Sequence, residues 1–377
     1  MPLGAVCRAL VLSRKKIEGP DAEPAPFILW PAGNRRNRGL AMTSAGSMHV
    51  TAYEDEYEAV VAQAQRAIDG FPPALRSMAD PMLPQWSSAS FSRIVALLPF
   101  WIAELLERAL PVDAGPPIPH PGDTETLALA TLLGWWSYLI QDGLVDGDLD
   151  PGGALPLSMA LHASAVSLLA QLLPADRVFW RTFERLSLTS SQAGAWEQRL
   201  RLEHLKNQEN LDLALAGPDW LADRSALLQL AVAAQFALRG LAQEHPLYVA
   251  LCEMLRHYAA ARQIADDRTD WVQDLQSGQL NYVSARIWRR MLETGAIESL
   301  AELDAERMAG YYLYDDELFA SIQQAAMDAC HQAAQAIAPY RSRPLDSLVG
   351  ELAQELEQNY QAALNSRHQL QAVFAPG

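Results

Sequence analysis

Six aspartates in two short segments are the residues of this chain best placed to do chemistry together. The first segment reads Leu139-Ile140-Gln141-Asp142-Gly143-Leu144-Val145-Asp146-Gly147-Asp148. Asp142 and Asp146 are four apart and share a face of any helix they sit on. The second reads Gln263-Ile264-Ala265-Asp266-Asp267-Arg268-Thr269-Asp270-Trp271-Val272-Gln273-Asp274-Leu275. Asp266, Asp270 and Asp274 step by four, and Asp267 stands three before Asp270, so all four are expected along one stripe. Like charges at this spacing destabilise a helix by about 0.2–0.5 kcal/mol per pair, and no Lys is interleaved here. No Lys or Arg lies between Arg108 and Arg177, so the first pair also lacks a local counter-charge. A hard divalent ion such as Mg²⁺ would supply it, since it takes oxygen ligands, keeps several waters and bridges to phosphate. Two facing stripes would hold several such ions with a diphosphate between them. A lone Asp-Asp-x-x-Asp is ordinarily a solvated helix face, and Arg262 and Arg268 offer it ordinary surface pairing. Two clusters, each ending an apolar helix and about 120 residues apart, are much less common, and together they point to a metal site.

The elements that must position these residues read as helices. From residue 51 onward apolar residues recur at spacings of three and four, and strand alternation with hairpin turns is nearly absent. Helices are expected near 51–69, 88–110, 123–143, 156–173, 176–215, 219–241, 246–276, 280–293, 315–338 and 345–374. Gly70-Phe71-Pro72-Pro73, the stretch Pro111 to Pro121, Pro151-Gly152-Gly153, Gly217-Pro218 and Gly278 separate them. Asp315-Asp316-Glu317 opens a helix, where acids suit the dipole. On the 123–143 helix, Tyr138 and Trp135 lie one and two turns before Asp142. On the 246–276 helix, Trp271 lies one turn from Asp267 and from Asp274. Aromatic faces of this kind stabilise a cation; they also serve as plain core.

The 377 residues carry 29 Lys+Arg against 45 Asp+Glu, a formal charge of −16. That balance argues against nucleic acid as a partner and against an anionic membrane surface. Residues 1–50 hold seven basic and three acidic residues among clustered prolines, and read as a disordered extension ahead of a single all-α domain over 51–377. Arg14, Lys15 and Lys16 follow the apolar stretch rather than precede it, the reverse of an export signal. No uninterrupted apolar run reaches the roughly 18 residues of a transmembrane segment. Cys7, Cys252 and Cys330 are far apart and suggest neither zinc nor disulfides, so a cytoplasmic protein is expected.

The second segment is similar to the second aspartate-rich motif of the trans-isoprenyl diphosphate synthases. Asp274-Leu275-Gln276-Ser277-Gly278-Gln279 resembles the Asp-Leu-x-x-Gly-Lys that follows it there, with Gln279 in place of Lys. Asp270-x-x-x-Asp274 with Gly278 and Tyr282 resembles the squalene and phytoene synthase branch. Asp142 and Asp146 match the outer aspartates of the first motif, with Gly143 in place of its second. This resemblance implies the class I isoprenoid synthase fold, an all-α bundle around a central active-site cavity. It implies Mg²⁺, three ions with the substrate diphosphate, held by Asp142, Asp146, Asp266, Asp267, Asp270 and Asp274. It also implies an allylic prenyl diphosphate contacted by Lys206, Gln263, Tyr138, Trp135 and Trp271, and allows a homodimer. Tyr138 falls where the family sets prenyl chain length.

Chain-elongating members carry an Arg pair just after the first motif and a Gly-Lys-Arg segment early in the domain. Here Asp148-Leu149-Asp150-Pro151-Gly152-Gly153 and Phe71-Pro72-Pro73-Ala74-Leu75-Arg76 stand there, with at most one cation between them. That departure favours a terpene synthase-like enzyme that ionises one allylic diphosphate and cyclises or quenches the cation. The alternatives are a polyprenyl diphosphate synthase or head-to-head prenyltransferase joining two isoprenoid diphosphates, and a helical binding protein without turnover.

Overall fold

The computed structural model describes residues 53–110, 120–145, 149–201, 219–298 and 305–374. Asp146, Lys206 and the expected N-terminal extension lie outside them. Among the described residues the chain is helical almost throughout, with no strand and one isolated bridge between Arg201 and Gln279. In chain order the helices are α1 (Glu54–Asp69), α2 (Pro73–Ala79), α3 (Leu83–Ser88), α4 (Ser90–Ala109), α5 (Pro121–Val145), α6 (Pro151–Leu172), α7 (Arg177–Arg199), α8 (Asp219–Arg224), α9 (Leu230–Leu238), α10 (Pro246–Gln276), α11 (Tyr282–Glu293), α12 (Ala305–Tyr314), α13 (Asp316–Ile337) and α14 (Arg343–Phe374).

α5 and α10 carry the two aspartate segments, and both are walled in by other helices. α5 is a Leu/Ala helix in which Leu127, Leu132, Leu133, Trp136 and Ile140 are fully buried. It packs most extensively along α6 and also against α4. α10 buries Leu247, Leu251, Met254, Ala261 and Ile264 completely, with α13 as its main neighbour and α8 and α11 beside it. One tertiary contact repairs a local defect in this frame. Pro99 inside α4 has no N–H for the Val95 carbonyl, and the Thr131 hydroxyl of α5 donates to that carbonyl at 3.2 Å.

Three differences from the sequence reading have physical reasons. The Phe71-Pro72-Pro73 breaker starts α2 instead of ending in loop, because proline is at ease at the first helical position. The single helix expected over 219–241 is broken at Ser225. There Leu228 N–H turns to the Ser225 carbonyl, and the Arg224 carbonyl instead accepts from Ser190 Oγ of α7 at 2.8 Å. No Gly or Pro announces this break. Finally, α6 is the one described helix long and apolar enough to cross a membrane by length and composition. Ser158, His162, Ser164 and Ser167 interrupt its apolar run without adding charge.

Candidate active site

Three helix C-terminal ends meet at one end of the bundle. The Leu280 N–H donates to the Leu200 carbonyl at 3.0 Å, and Gln279 Nε2 donates to the Glu197 carbonyl at 3.1 Å. These bonds tie the end of α7 to the turn after α10. Gly278 makes that turn possible, with φ of 84°, a left-handed value that a side chain would strain. From the same strap Arg201 Nη2 donates to the Val145 carbonyl at 3.1 Å and covers the end of α5. Asp142, Glu197 and Asp274 sit in the last turns of their helices, with Asp270 and Asp267 one and two turns further back. A helix C-terminus already carries partial negative charge, so carboxylates there add to the potential instead of offsetting it. This end of the bundle is built to attract cations.

Arginine side chains supply positive charge to it. Arg224, the last residue of α8, donates from Nη2 to Asp142 Oδ1 at 3.1 Å and pairs through Nη1 with Glu197 Oε1 at 3.0 Å. It also hydrogen-bonds the Tyr138 hydroxyl oxygen and feels the charge of Asp267. Burial opposes the guanidinium's charge, but Glu197, Tyr138 and Asp142 outweigh it and hold the group well above its ordinary value. Tyr138 itself is pushed up to about 12, chiefly by burial. Arg224 is the only basic residue between Lys206 and Arg239, in an otherwise apolar stretch. That isolation was the one sequence signal for it. Glu197 and Arg201 gave none.

The second aspartate segment divides into two functions. Asp266 is exposed and Asp270 and Asp274 are half-buried, whereas Asp267 is buried. Consecutive residues are about 100° apart around a helix, so Asp266 and Asp267 flank the stripe on opposite sides. Asp267 Oδ2 accepts the Tyr282 N–H at 2.9 Å, and its Oδ1 accepts Gln263 Nε2 at 2.7 Å. Asn281 Nδ2 donates to the Asp267 carbonyl at 3.1 Å and to Asp274 Oδ2 at 3.0 Å, while its own side chain caps α11 with Ser284. Burial pushes the Asp267 carboxyl up to about 8, although the Gln263 and Tyr282 bonds act the other way. Asp267, itself held by Gln263, thereby ties α10 to the start of α11. Trp271 likewise differs from expectation. It packs edge-on against Tyr312 at 5.8 Å in the core, away from the cavity.

Trp135 and Tyr138 do line a cavity. It holds about 100 Å³ between α4, α5, α6, α7 and the α8–α9 break, with Arg224 and Ser225 at its polar end and Leu98, Leu169, Leu228 and Leu230 deeper in. The two rings stack at 5.4 Å, and Phe91 contacts Trp135 at 4.7 Å. The cavity is smaller than the roughly 150 Å³ apolar void that takes up benzene, so an apolar chain enters only as its walls give.

Among the described residues no three His, Cys, Asp or Glu side chains converge closely enough to hold a metal ion. The donor chemistry nonetheless fits a hard cation. Asp142, Asp266, Asp270 and Asp274 offer oxygens at a partly wet surface, where Mg²⁺ keeps water and draws further ligands from phosphate.

In solved structures this arrangement of helices recurs. A polyprenyl synthase from Roseobacter denitrificans superposes with a TM-score of 0.60 at 15% identity, covering 82% of this chain and 97% of that one. The geranylgeranyl pyrophosphate synthase of Lactobacillus brevis gives 0.59 at 15% identity over 81% of this chain and 97% of its own. The geranylgeranyl pyrophosphate synthetase of Geoglobus acetivorans gives 0.58 at 15% identity over 82% and 99%. The fold is that of the class I isoprenoid synthases. No family model and no curated protein matches the chain by sequence. The isoprenoid synthase fold is therefore established by shape at low identity, on an all-helical bundle.

Proposed function

We propose that the chain is a Mg²⁺-dependent, cytoplasmic isoprenoid synthase that ionises an allylic prenyl diphosphate and joins it to a second isoprenoid diphosphate. The observation that carries this reading is the pairing of Arg224 with Asp142 and Glu197, with Asp267 within its field, on the lining of an apolar, aromatic-walled cavity. The single-substrate cyclase favoured by the sequence rested on missing cations near the first motif. Arg224 and Arg201 come to that motif from distant segments, which removes the argument. The similar structures named above are a polyprenyl synthase and two geranylgeranyl pyrophosphate synthases, which supports the condensation reading over cyclisation.

Asp142, Asp266, Asp270 and Asp274, with Asp146 from outside the described residues, would hold the metal. When bound, Mg²⁺ neutralises the diphosphate and makes it a better leaving group. The chain's own groups do the rest. Arg224 offers the diphosphate a two-pronged donor of fixed charge. Trp135 and Tyr138 face the cation left when the allylic C–O bond breaks and its electron pair departs with the diphosphate. The apolar cavity excludes water, so the double bond of the second substrate is the nucleophile at hand. A C–C bond forms, and a proton lost from the new adduct goes to the released diphosphate. Arg201, beside the end of α5, is the cation available to the second diphosphate.

The stacked Trp135–Tyr138 floor and the small cavity favour one competing reading, a cyclase whose short prenyl chain folds on itself. Incubation with Mg²⁺ and C10 to C25 allylic diphosphates, with and without isopentenyl diphosphate, separates them. Longer diphosphates formed only with the second substrate support condensation; hydrocarbons or alcohols formed without it overturn it. No product in either case leaves a binding protein.

We also read the chain as a homodimer. α6 leaves Leu155 and Met159 exposed, and no charged residue occurs from 151 to 175. Two chains of the same negative charge meet there without like-charge repulsion, as a two-fold interface requires. Met159→Glu should halve the sedimenting mass; a wild-type monomer refutes the idea.

A further inference from the structure

Asp142 has one partner among the described residues, and that partner is Arg224. The guanidinium therefore stands where the first aspartate segment would meet a metal. Its other edge is held by Glu197, so it is fixed between two carboxylates and not merely close to them. A divalent ion placed on Asp142 would stand within a few ångströms of the half-buried Arg224 guanidinium, and both are cations. One of them must give way. A diphosphate offers the displaced guanidinium a partner of higher charge and matching fork geometry.

Building on the diphosphate-site reading above, we propose that Arg224 is the resident counter-ion of the first aspartate segment, and that it exchanges Asp142 for the diphosphate as Mg²⁺ arrives. Metal and diphosphate then bind as a pair. Mg²⁺ alone finds Asp142 occupied, and diphosphate alone finds Arg224 engaged, but each releases the group the other needs. Glu197 keeps Arg224 anchored through the exchange. The enzyme so built does not load metal idly, and after turnover the departing diphosphate hands Arg224 back to Asp142.

The test is calorimetric titration with Mg²⁺, alone and with inorganic pyrophosphate, on wild type, Arg224→Gln, Asp142→Asn and the double variant. A charge-assisted hydrogen bond corresponds to about tenfold or more in affinity. Arg224→Gln should therefore bind Mg²⁺ alone about tenfold tighter than wild type, and pyrophosphate should add less to that affinity. Arg224→Lys should restore part of the pairing. In the Asp142→Asn background, Arg224→Gln should leave Mg²⁺ affinity unchanged, because its effect runs through Asp142. The same tightening in both backgrounds would make Arg224 a general field and overturn the exchange; so would no tightening at all. If Arg224→Gln fails to fold, the guanidinium nitrogen resonances of Arg224 in labelled wild type carry the test. They must move when Mg²⁺ and pyrophosphate are added together and stay put with Mg²⁺ alone. Wild type that binds neither Mg²⁺ nor pyrophosphate at millimolar concentration removes the site reading and the exchange with it. Pairwise binding with an unmoved Arg224 removes only the exchange.

Discussion

Replacing Asp267 by Ala separates the two functions within one aspartate stripe. The carboxylate is buried and receives two hydrogen bonds, from the Tyr282 N–H at 2.9 Å and from Gln263 Nε2 at 2.7 Å. Alanine would leave both donors facing a small dry space. A buried donor without a partner costs about 1–3 kcal/mol. Gln263 is half-buried and turns to water, so the Tyr282 N–H dominates, and the void adds a little. The expected loss is about 2–4 kcal/mol, a large share of the 5–15 kcal/mol typical of a folded domain. The start of α11 should loosen with it, since Asn281 also holds α10 through the Asp267 carbonyl. Asp270 is half-buried near the same stripe, and Asp270→Ala should change stability by no more than about 0.5 kcal/mol. Under the proposed function it should nevertheless lose most of its turnover. Urea denaturation followed by far-UV circular dichroism, set beside product formation, reads both quantities. If Asp267→Ala unfolds at the wild-type midpoint, the carboxylate does not hold α11, and Asp267 returns to the set of candidate metal ligands.

Three further outcomes follow from the geometry. Arg201→Ala should raise the KM for the second, non-allylic substrate at least several-fold while leaving that of the allylic substrate little changed; equal effects on both would refute its assignment. Trp135→Ala should lengthen the longest prenyl diphosphate the protein accepts or makes, because it removes the ring that Phe91 and Tyr138 sandwich, and should cost about 3 kcal/mol. Product chromatography and a melting curve check it, and an unchanged product length counts against the cavity. Asp315 caps α13 by accepting the Leu318 N–H and pairs with Arg290. Burial alone would raise its carboxyl, but those two partners outweigh it and hold it below the ordinary value. Its stabilisation is thus present above the unfolded carboxyl's pKa of about 4 and lost as pH falls through the lower folded value. The melting temperature of Asp315→Asn should lie below that of wild type at neutral pH and converge with it in acid; a constant gap would refute the coupling.

The helical frame was legible because each helix repeats its own apolar spacing, a property local enough to read from one segment. The long helices around residues 88–110, 246–276 and 315–338 were found close to their observed limits for that reason. The stretch over 219–241 was not, since its break depends on a hydroxyl from α7 that takes the Arg224 carbonyl. The same limit applies to the site. Spacing placed Asp266, Asp267, Asp270 and Asp274 on one helix. It could not tell which flank of that helix would be covered, and α11 covers the Asp267 side.

What the sequence lacked most was the sign of the charge at the mouth. Read along the chain, the first aspartates have no cation within reach, and the whole molecule is acidic. Folding brings Arg224 and Arg201 to them from residues that lie beyond the end of α7 or well past it, through bonds to Asp142 and Val145. Both cations approach helix C-termini, where their positive charge is favoured. Carboxylates at three such ends are unfavourable by the same rule. The arrangement makes physical sense if the two guanidiniums balance the cluster in the absence of ligand and a divalent ion with a phosphate group balances it in their place. Under the proposed function, Arg224 and Arg201 stand where the diphosphate would arrive.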